Sequence, residues 1–187
     1  MTPARMFRRQ EAAVAFTLLG ATALLLARPY VTPAPTVRLW SFAAGYVAIG
    51  LAALAVPTPE DRTRPLPAGL ALAAGAVGLA AASLAAGPSA PVPWGPGALP
   101  VAILAAVAEE ALFRRAAYGR LARFGPGVAV IGTAVAFGLV HLPAYGVAAL
   151  PVDLGAGLLF SWQRWASGTW LVPAATHAAA NLLVVLA

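Results

Sequence analysis

Leu99-Pro100-Val101-Ala102-Ile103-Leu104-Ala105-Ala106-Val107-Ala108 runs directly into Glu109-Glu110-Ala111-Leu112-Phe113-Arg114-Arg115. An unbroken apolar, helix-like run followed by two adjacent carboxylates reads as a membrane helix with charge set inside it. Charge is expensive in hydrocarbon, so an ionisable group within a spanning segment is by default a functional-site hypothesis. The chain has six acidic residues in all, and two of them stand here.

The rest of the chain supports the membrane reading. It is 61% hydrophobic and 10% charged over 187 residues, with mean hydropathy +0.83. A soluble domain is roughly 45–50% apolar and about 25% charged. Apolar runs fall at 12–27, 39–56, 68–86, 97–118, 127–142, 144–161 and 168–187. A bilayer core takes roughly 20 helical residues. The runs therefore predict an all-α, polytopic transmembrane bundle of six to seven spans (eight helices if one span is broken). One integral membrane domain over 1–187 is expected, with its functional core in 97–187. Breaks are expected at Arg28-Pro29, Pro33/Pro35, Pro57–Pro67, Pro88–Pro96, Leu142-Pro143 and Gly125-Pro126-Gly127, where proline and glycine interrupt the runs. Arg8-Arg9 before an apolar run imitates a secretory signal, but the spans that follow favour a retained first helix.

The formal charge is +6, from twelve arginines and no lysine. In a membrane chain this excess reads as a topology signal rather than a nucleic-acid surface. With the N-terminus cytoplasmic, Arg5, Arg8, Arg9, Arg62, Arg64, Arg114, Arg115, Arg120, Arg123 and Arg164 fall on the cytoplasmic side, and only Arg28 and Arg38 fall outside. Trp162, Trp165 and Trp170 then mark the cytoplasmic interface, with Trp40 and Trp94 opposite. The composition suggests a high-GC bacterium, hence a bacterial plasma membrane. There is no cysteine, which removes disulfides, thiol nucleophiles and thiolate metal sites.

Few polar side chains lie deep in the runs: Glu109, Glu110, His141, His177, Asn181 and, nearer an edge, Asp153. Glu109 and His141 each stand about 15 residues from the Gly125-Pro126 turn, which is roughly 22 Å along a helix. His177 and Asn181 lie roughly 14 and 20 Å beyond a helix start near Ser167-Gly168, on the same side. Three helices thus bring polar groups to similar depth. Glu110 and Arg114 share a helix face at i,i+4 and can pair, while Glu109 points about 100° away. His177 and Asn181 repeat that spacing, as do Phe137 and His141, with Phe137 set to pack beneath the imidazole. Plainer readings stand beside these. Glu110–Arg114 reads as a structural ion pair, Asn181 as a helix–helix hydrogen bond, and Arg115, Arg120 and Arg123 as topology signals. Asp153 reads as a residue bonded locally or to an arginine, and Gly155 and Gly157 as packing positions.

A carboxylate and an imidazole together can deprotonate and aim a water. A second imidazole and an amide can donate hydrogen bonds to the oxyanion formed when that water attacks a carbonyl. There is no His-Glu-x-x-His, no Gly-x-Ser-x-Gly and no second membrane aspartate beside Asp153. The order Glu109-Glu110-x-x-x-Arg114, Phe137-x-x-x-His141, His177-x-x-x-Asn181 resembles the CPBP family, the type II CAAX prenyl endopeptidases and related bacteriocin-processing (Abi) enzymes. Ser167-Gly168-Thr169-Trp170 resembles the family's lead-in to its third motif. The resemblance covers residues 97–187. It implies an intramembrane endopeptidase, glutamate-type or metal-dependent, acting in a membrane-embedded cavity open to the cytoplasm. It also implies Glu109 as base with His141 on the water, and His177 with Asn181 on the oxyanion. No cofactor follows with certainty; Glu109, His141 and His177 could ligate zinc. Its partners would be the lipid bilayer and an unprenylated, lipidated or hydrophobic peptide or membrane-protein substrate. The alternative is a non-catalytic CPBP-like membrane scaffold or bacteriocin immunity protein.

Overall fold

In the computed structural model, residues 3–30, 35–58, 65–86 and 98–186 are described. Pro33, Arg62, Arg64, Trp94 and the whole Pro88–Pro96 break lie outside them. The described residues are helical, with no strand among them. The elements are α1 (Pro3–Ala27), α2 (Pro35–Ala55), α3 (Ala68–Ala86), α4 (Ala98–Glu110), α5 (Tyr118–Leu121), α6 (Pro126–Tyr145), α7 (Leu150–Ser167) and α8 (Leu171–Leu186). A π-helical segment, Ala111–Ala117, joins α4 to α5 in one continuous rod. This is an all-α transmembrane bundle, and the chain is an integral membrane protein.

Within it, Glu11–Tyr30, Val37–Ala55 and Pro126–Tyr145 are long and apolar enough to cross a bilayer unaided. The α4–α5 rod is long enough, but it carries Glu109, Glu110, Arg114, Arg115 and Arg120. Such charge is tolerable only where a rod is enclosed by its neighbours. Glu109, Glu110 and Arg114 are indeed buried, while Phe16, Leu19, Leu51, Leu84 and Leu183 present apolar surface outward.

The packing explains which helix is central. α4 lies between α2 and α8; α6 packs along α7; α1 rests on α2 and α6; α3 covers α7 and α8. Small residues set the closest approaches, as in membrane bundles generally. At Gly157 an added Cβ would stand 2.8 Å from the Ala134 carbonyl oxygen, so α6 and α7 can meet only because that side chain is missing. Gly155, expected to do the same, faces open space.

One boundary differs from expectation. α6 runs through Pro143 and ends at Gly146, whose φ of 76° is favourable only to glycine, and α7 starts at Leu150. Proline at position 143 forfeits one hydrogen bond in the last turn without stopping the helix, which membrane helices tolerate. The sixth span is therefore 150–167 rather than 144–161. The expected restart near Ser167-Gly168 is present, with Gly168 at φ 68° closing α7.

The arginines have structural partners as well as a topological bias. Arg115 donates from Nη1 to the carbonyls of Ala53 (2.6 Å) and Val56 (3.0 Å), capping buried carbonyls at the end of α2. Arg120 pairs with Glu11 at 2.8 Å, tying α5 to α1. Arg164 donates from Nε to the Arg114 carbonyl at 3.0 Å.

Candidate active site

α4 ends on Glu109-Glu110 because the next residues enter a π turn. A π segment adds a residue to the helical turn and is frequent at functional sites. Here two consecutive arginines leave the rod in different directions. Arg115 reaches α2, and Arg114 turns inward toward α7.

The inward group is closed around Glu110. Arg114 Nη1 donates to Glu110 Oε1 at 3.0 Å, and Arg114 Nη2 donates to the Gly157 carbonyl at 3.1 Å. Its guanidinium lies over Phe137, with the carbon 4.5 Å from the ring centroid, and also faces Phe160 and Phe113. A planar cation stacked on aromatic faces is a role lysine cannot take. His177 Nδ1 donates to the same Glu110 oxygen at 2.9 Å and stacks on Phe160. Both members of the Glu110–Arg114 pair are fully buried.

Glu109 faces a second group. Its Oε2 lies 3.6 Å from His141 Nε2, and its Oε1 accepts a 3.2 Å bond from Arg28 Nη1. His141 Nδ1 donates to the Phe137 carbonyl at 2.7 Å. A carbonyl only accepts, so the Nδ1 proton is fixed and Nε2 of the neutral ring is an acceptor. Phe137 packs against the His141 imidazole at 4.4 Å, as its spacing predicts, and edge-on to His177 at 5.7 Å. Tyr145 stacks on the His141 ring itself, with centroids 5.7 Å apart.

These groups line one cavity of about 740 Å³. Glu109, Phe137, His141, His177 and Asn181 all contribute to it. Asn181, however, uses its amide to donate to the Ala102 carbonyl at 3.0 Å, stitching α8 to α4. This helix–helix bond was the plainer of its two sequence readings. Asp153 also lines the cavity, which its sequence reading as a locally bonded residue did not anticipate.

Arg28, Tyr46 and Tyr145 are residues that sequence reasoning missed. Arg28 donates from Nη1 to both Glu109 and the Tyr46 hydroxyl (2.8 Å), and lies over the Tyr145 ring. The lining also comes from the end of α1, the start of α2, the start of α4, the end of α6 and the start of α7. The mouth is therefore at the end of the bundle that bears Arg28 and Arg38. Arg115, Arg120 and Arg164 stand at the other end. A cytoplasmic N-terminus and a cytoplasmic mouth cannot both hold.

The donors do not assemble a metal site. Among the described residues, no three histidine, aspartate or glutamate side chains form a metal-ligand group. One Glu109 oxygen is held by a guanidinium, and each histidine has one nitrogen committed, to Phe137 and to Glu110. Metal-ligating histidines commonly carry such a second hydrogen bond, so these bonds do not themselves oppose a metal; what is missing among the described residues is the grouping of three donors around one point.

A family model described as Type II CAAX prenyl endopeptidase Rce1-like matches residues 91–183, about half of the chain. The chain belongs to this CAAX-type intramembrane protease family. The Rce1-like match spans α4 to α8 and so contains Glu109, Glu110, Arg114, Phe137, His141, His177 and Asn181. It leaves out α1 and α2, and with them Arg28 and Tyr46. No curated protein and no solved structure matches the chain.

Proposed function

We propose that the chain is an intramembrane endopeptidase that hydrolyses a peptide bond of a hydrophobic or lipidated, membrane-associated peptide, using a water activated by Glu109 and His141. The observation that carries this reading is the 3.6 Å separation of Glu109 Oε2 and His141 Nε2. Both atoms are acceptors once His141 Nδ1 donates to Phe137, and 3.6 Å is too long for a direct bond. A water that donates one proton to each satisfies both and turns its lone pairs toward the cavity.

The reaction then balances without a protein nucleophile. The water oxygen attacks the scissile carbonyl as Glu109 takes one of its protons. The carbonyl π electrons move to oxygen, and the oxyanion needs donors. His177 supplies one from Nε2 when its ring carries a proton there, its Nδ1 being committed to Glu110. The second N–H of Asn181 supplies another. Collapse of the intermediate expels the amine, which recovers the proton from Glu109. Arg114 holds Glu110, and Phe137 holds His141, so their parts are positional. No step passes through a metal.

The arginine bias supports a bacterial plasma membrane with the N-terminus cytoplasmic. The mouth then opens toward the opposite face. The reading is tested by incubating purified chain in nanodiscs with a library of hydrophobic peptides and following products by mass spectrometry. Paired fragments that together contain one added water, absent with Glu109→Ala, support it. An identical product pattern from both proteins rejects it in favour of the scaffold reading.

A further inference from the structure

Arg28 makes a polar contact to Glu109 that the proposed chemistry does not use. It comes from the far end of α1, 81 positions away, and its side chain is 16% exposed where that of Glu109 is 3% exposed. It stands at the mouth, held by three partners: the Glu109 carboxylate, the Tyr46 hydroxyl and the Tyr145 ring. A guanidinium on Oε1 stabilises the negative charge of Glu109, yet a general base must take up a proton. A chain entering the cavity must also pass Arg28 to reach His141 and His177. The pairing occupies one oxygen of the base on the wall of the open cavity.

We infer that Arg28 is an exchangeable cap on Glu109, released by a carboxylate of the incoming peptide. The inference rests on the proteolytic reading of this cavity. Arginine suits the exchange because its planar fork can take a carboxylate through two N–H groups, whereas Glu109 engages Nη1 alone. Tyr46 and Tyr145 keep the guanidinium at the mouth while its anionic partner changes. The substrate thus supplies a carboxylate at the mouth and an apolar body along Phe42, Val101 and Val184, and its arrival frees the base. Arg28 is a positioning and selectivity residue in this scheme, since it touches the substrate away from the scissile bond.

The test is direct binding to intact chain in nanodiscs, which does not depend on cleavage. The probes are one fluorescent apolar peptide as its free acid, the same peptide amidated, and an amidated form with a glutamate near its end. Glu109→Gln leaves Arg28 in place without its anionic partner. It should bind the free acid roughly ten- to a hundredfold tighter than the wild type does, the range of one charge-assisted hydrogen bond. The amidated peptide should bind both proteins equally. The glutamate-bearing amide separates a side-chain carboxylate from a terminal one: a gain for either form supports the inference. Arg28→Gln should bind all three forms alike, and Arg28→Lys should keep part of the preference. Equal acid-to-amide ratios for wild type and Glu109→Gln would overturn the cap. If that ratio changes but no peptide is ever cleaved, the protease reading fails and the cap stands.

Discussion

His177 and Glu110, 67 positions apart, meet with Nδ1 2.9 Å from Oε1, and that oxygen is the one Arg114 also holds. The two neighbouring glutamates therefore serve different groups. Glu110 anchors a buried cation and an imidazole from α8, and Glu109 looks into the cavity toward His141. The division follows from the helix turn between consecutive residues, about 100°.

Removing half of the Glu110–Arg114 pair leaves an uncompensated buried charge. Arg114→Ala should lower stability by about 3–5 kcal/mol, read as loss of folded protein in detergent thermal melts. A Glu110→Gln/Arg114→Met double variant should recover a substantial part of that loss, because neither orphan charge remains. A double variant no more stable than Arg114→Ala would show that the aromatic stack over the guanidinium, rather than charge, dominates.

Gly157→Ala tests the contact of α6 with α7. Its Cβ would press on the Ala134 backbone, which cannot swing aside, and would displace the carbonyl that Arg114 uses. A loss of roughly 1–3 kcal/mol is expected from overpacking. Gly155→Ala, facing open space, should be close to neutral. Equal melting temperatures for the two variants would contradict the packing described.

The depth match of Glu109, His141 and His177 was legible from sequence because helices are rigid rulers and the turns at Gly125-Pro126 and Ser167-Gly168 are marked by their residues. Glu110–Arg114 and Phe137–His141 were legible for the same reason, as i,i+4 pairs. Arg28 was not. Its partner is distant in sequence, and the charge bias that orients the chain offers a sufficient account of every arginine. Arg115 and Arg120 were hidden by that same sufficiency. Pro143 misplaced a boundary, since a proline in the final turn costs one bond and only Gly146 supplies the positive φ that ends α6. The partner of Asn181 depended on which α4 carbonyl faces it, and spacing within α8 does not contain that.

Orientation is open to cysteine labelling, since the chain has no cysteine of its own. Val147 lies between α6 and α7 at the mouth end, and Phe124 lies before α6 at the arginine-rich end; both are exposed. With the arginine bias obeyed, Val147→Cys in intact cells should react with a membrane-impermeant maleimide, and Phe124→Cys only after lysis. The reverse pattern would put the mouth on the cytoplasmic side.

Because no three donors among the described residues form a metal-ligand group, prolonged treatment with 1,10-phenanthroline should leave peptide hydrolysis unchanged. Loss of activity restored by added zinc would require Glu109 Oε2 and the Nε2 atoms of His141 and His177 to converge on one ion, and would contradict the metal-free reading.

The central claim is that a water between Glu109 and His141 carries out the hydrolysis. Its most direct test is the single-turnover cleavage rate of Glu109→Gln at saturating amidated peptide, since the substitution keeps the shape of the side chain and removes its charge and its capacity to take a proton. The account predicts a fall of roughly 10²–10⁴-fold, with the melting temperature close to that of the wild type. A Glu109→Gln variant that cleaves at the wild-type rate would contradict it.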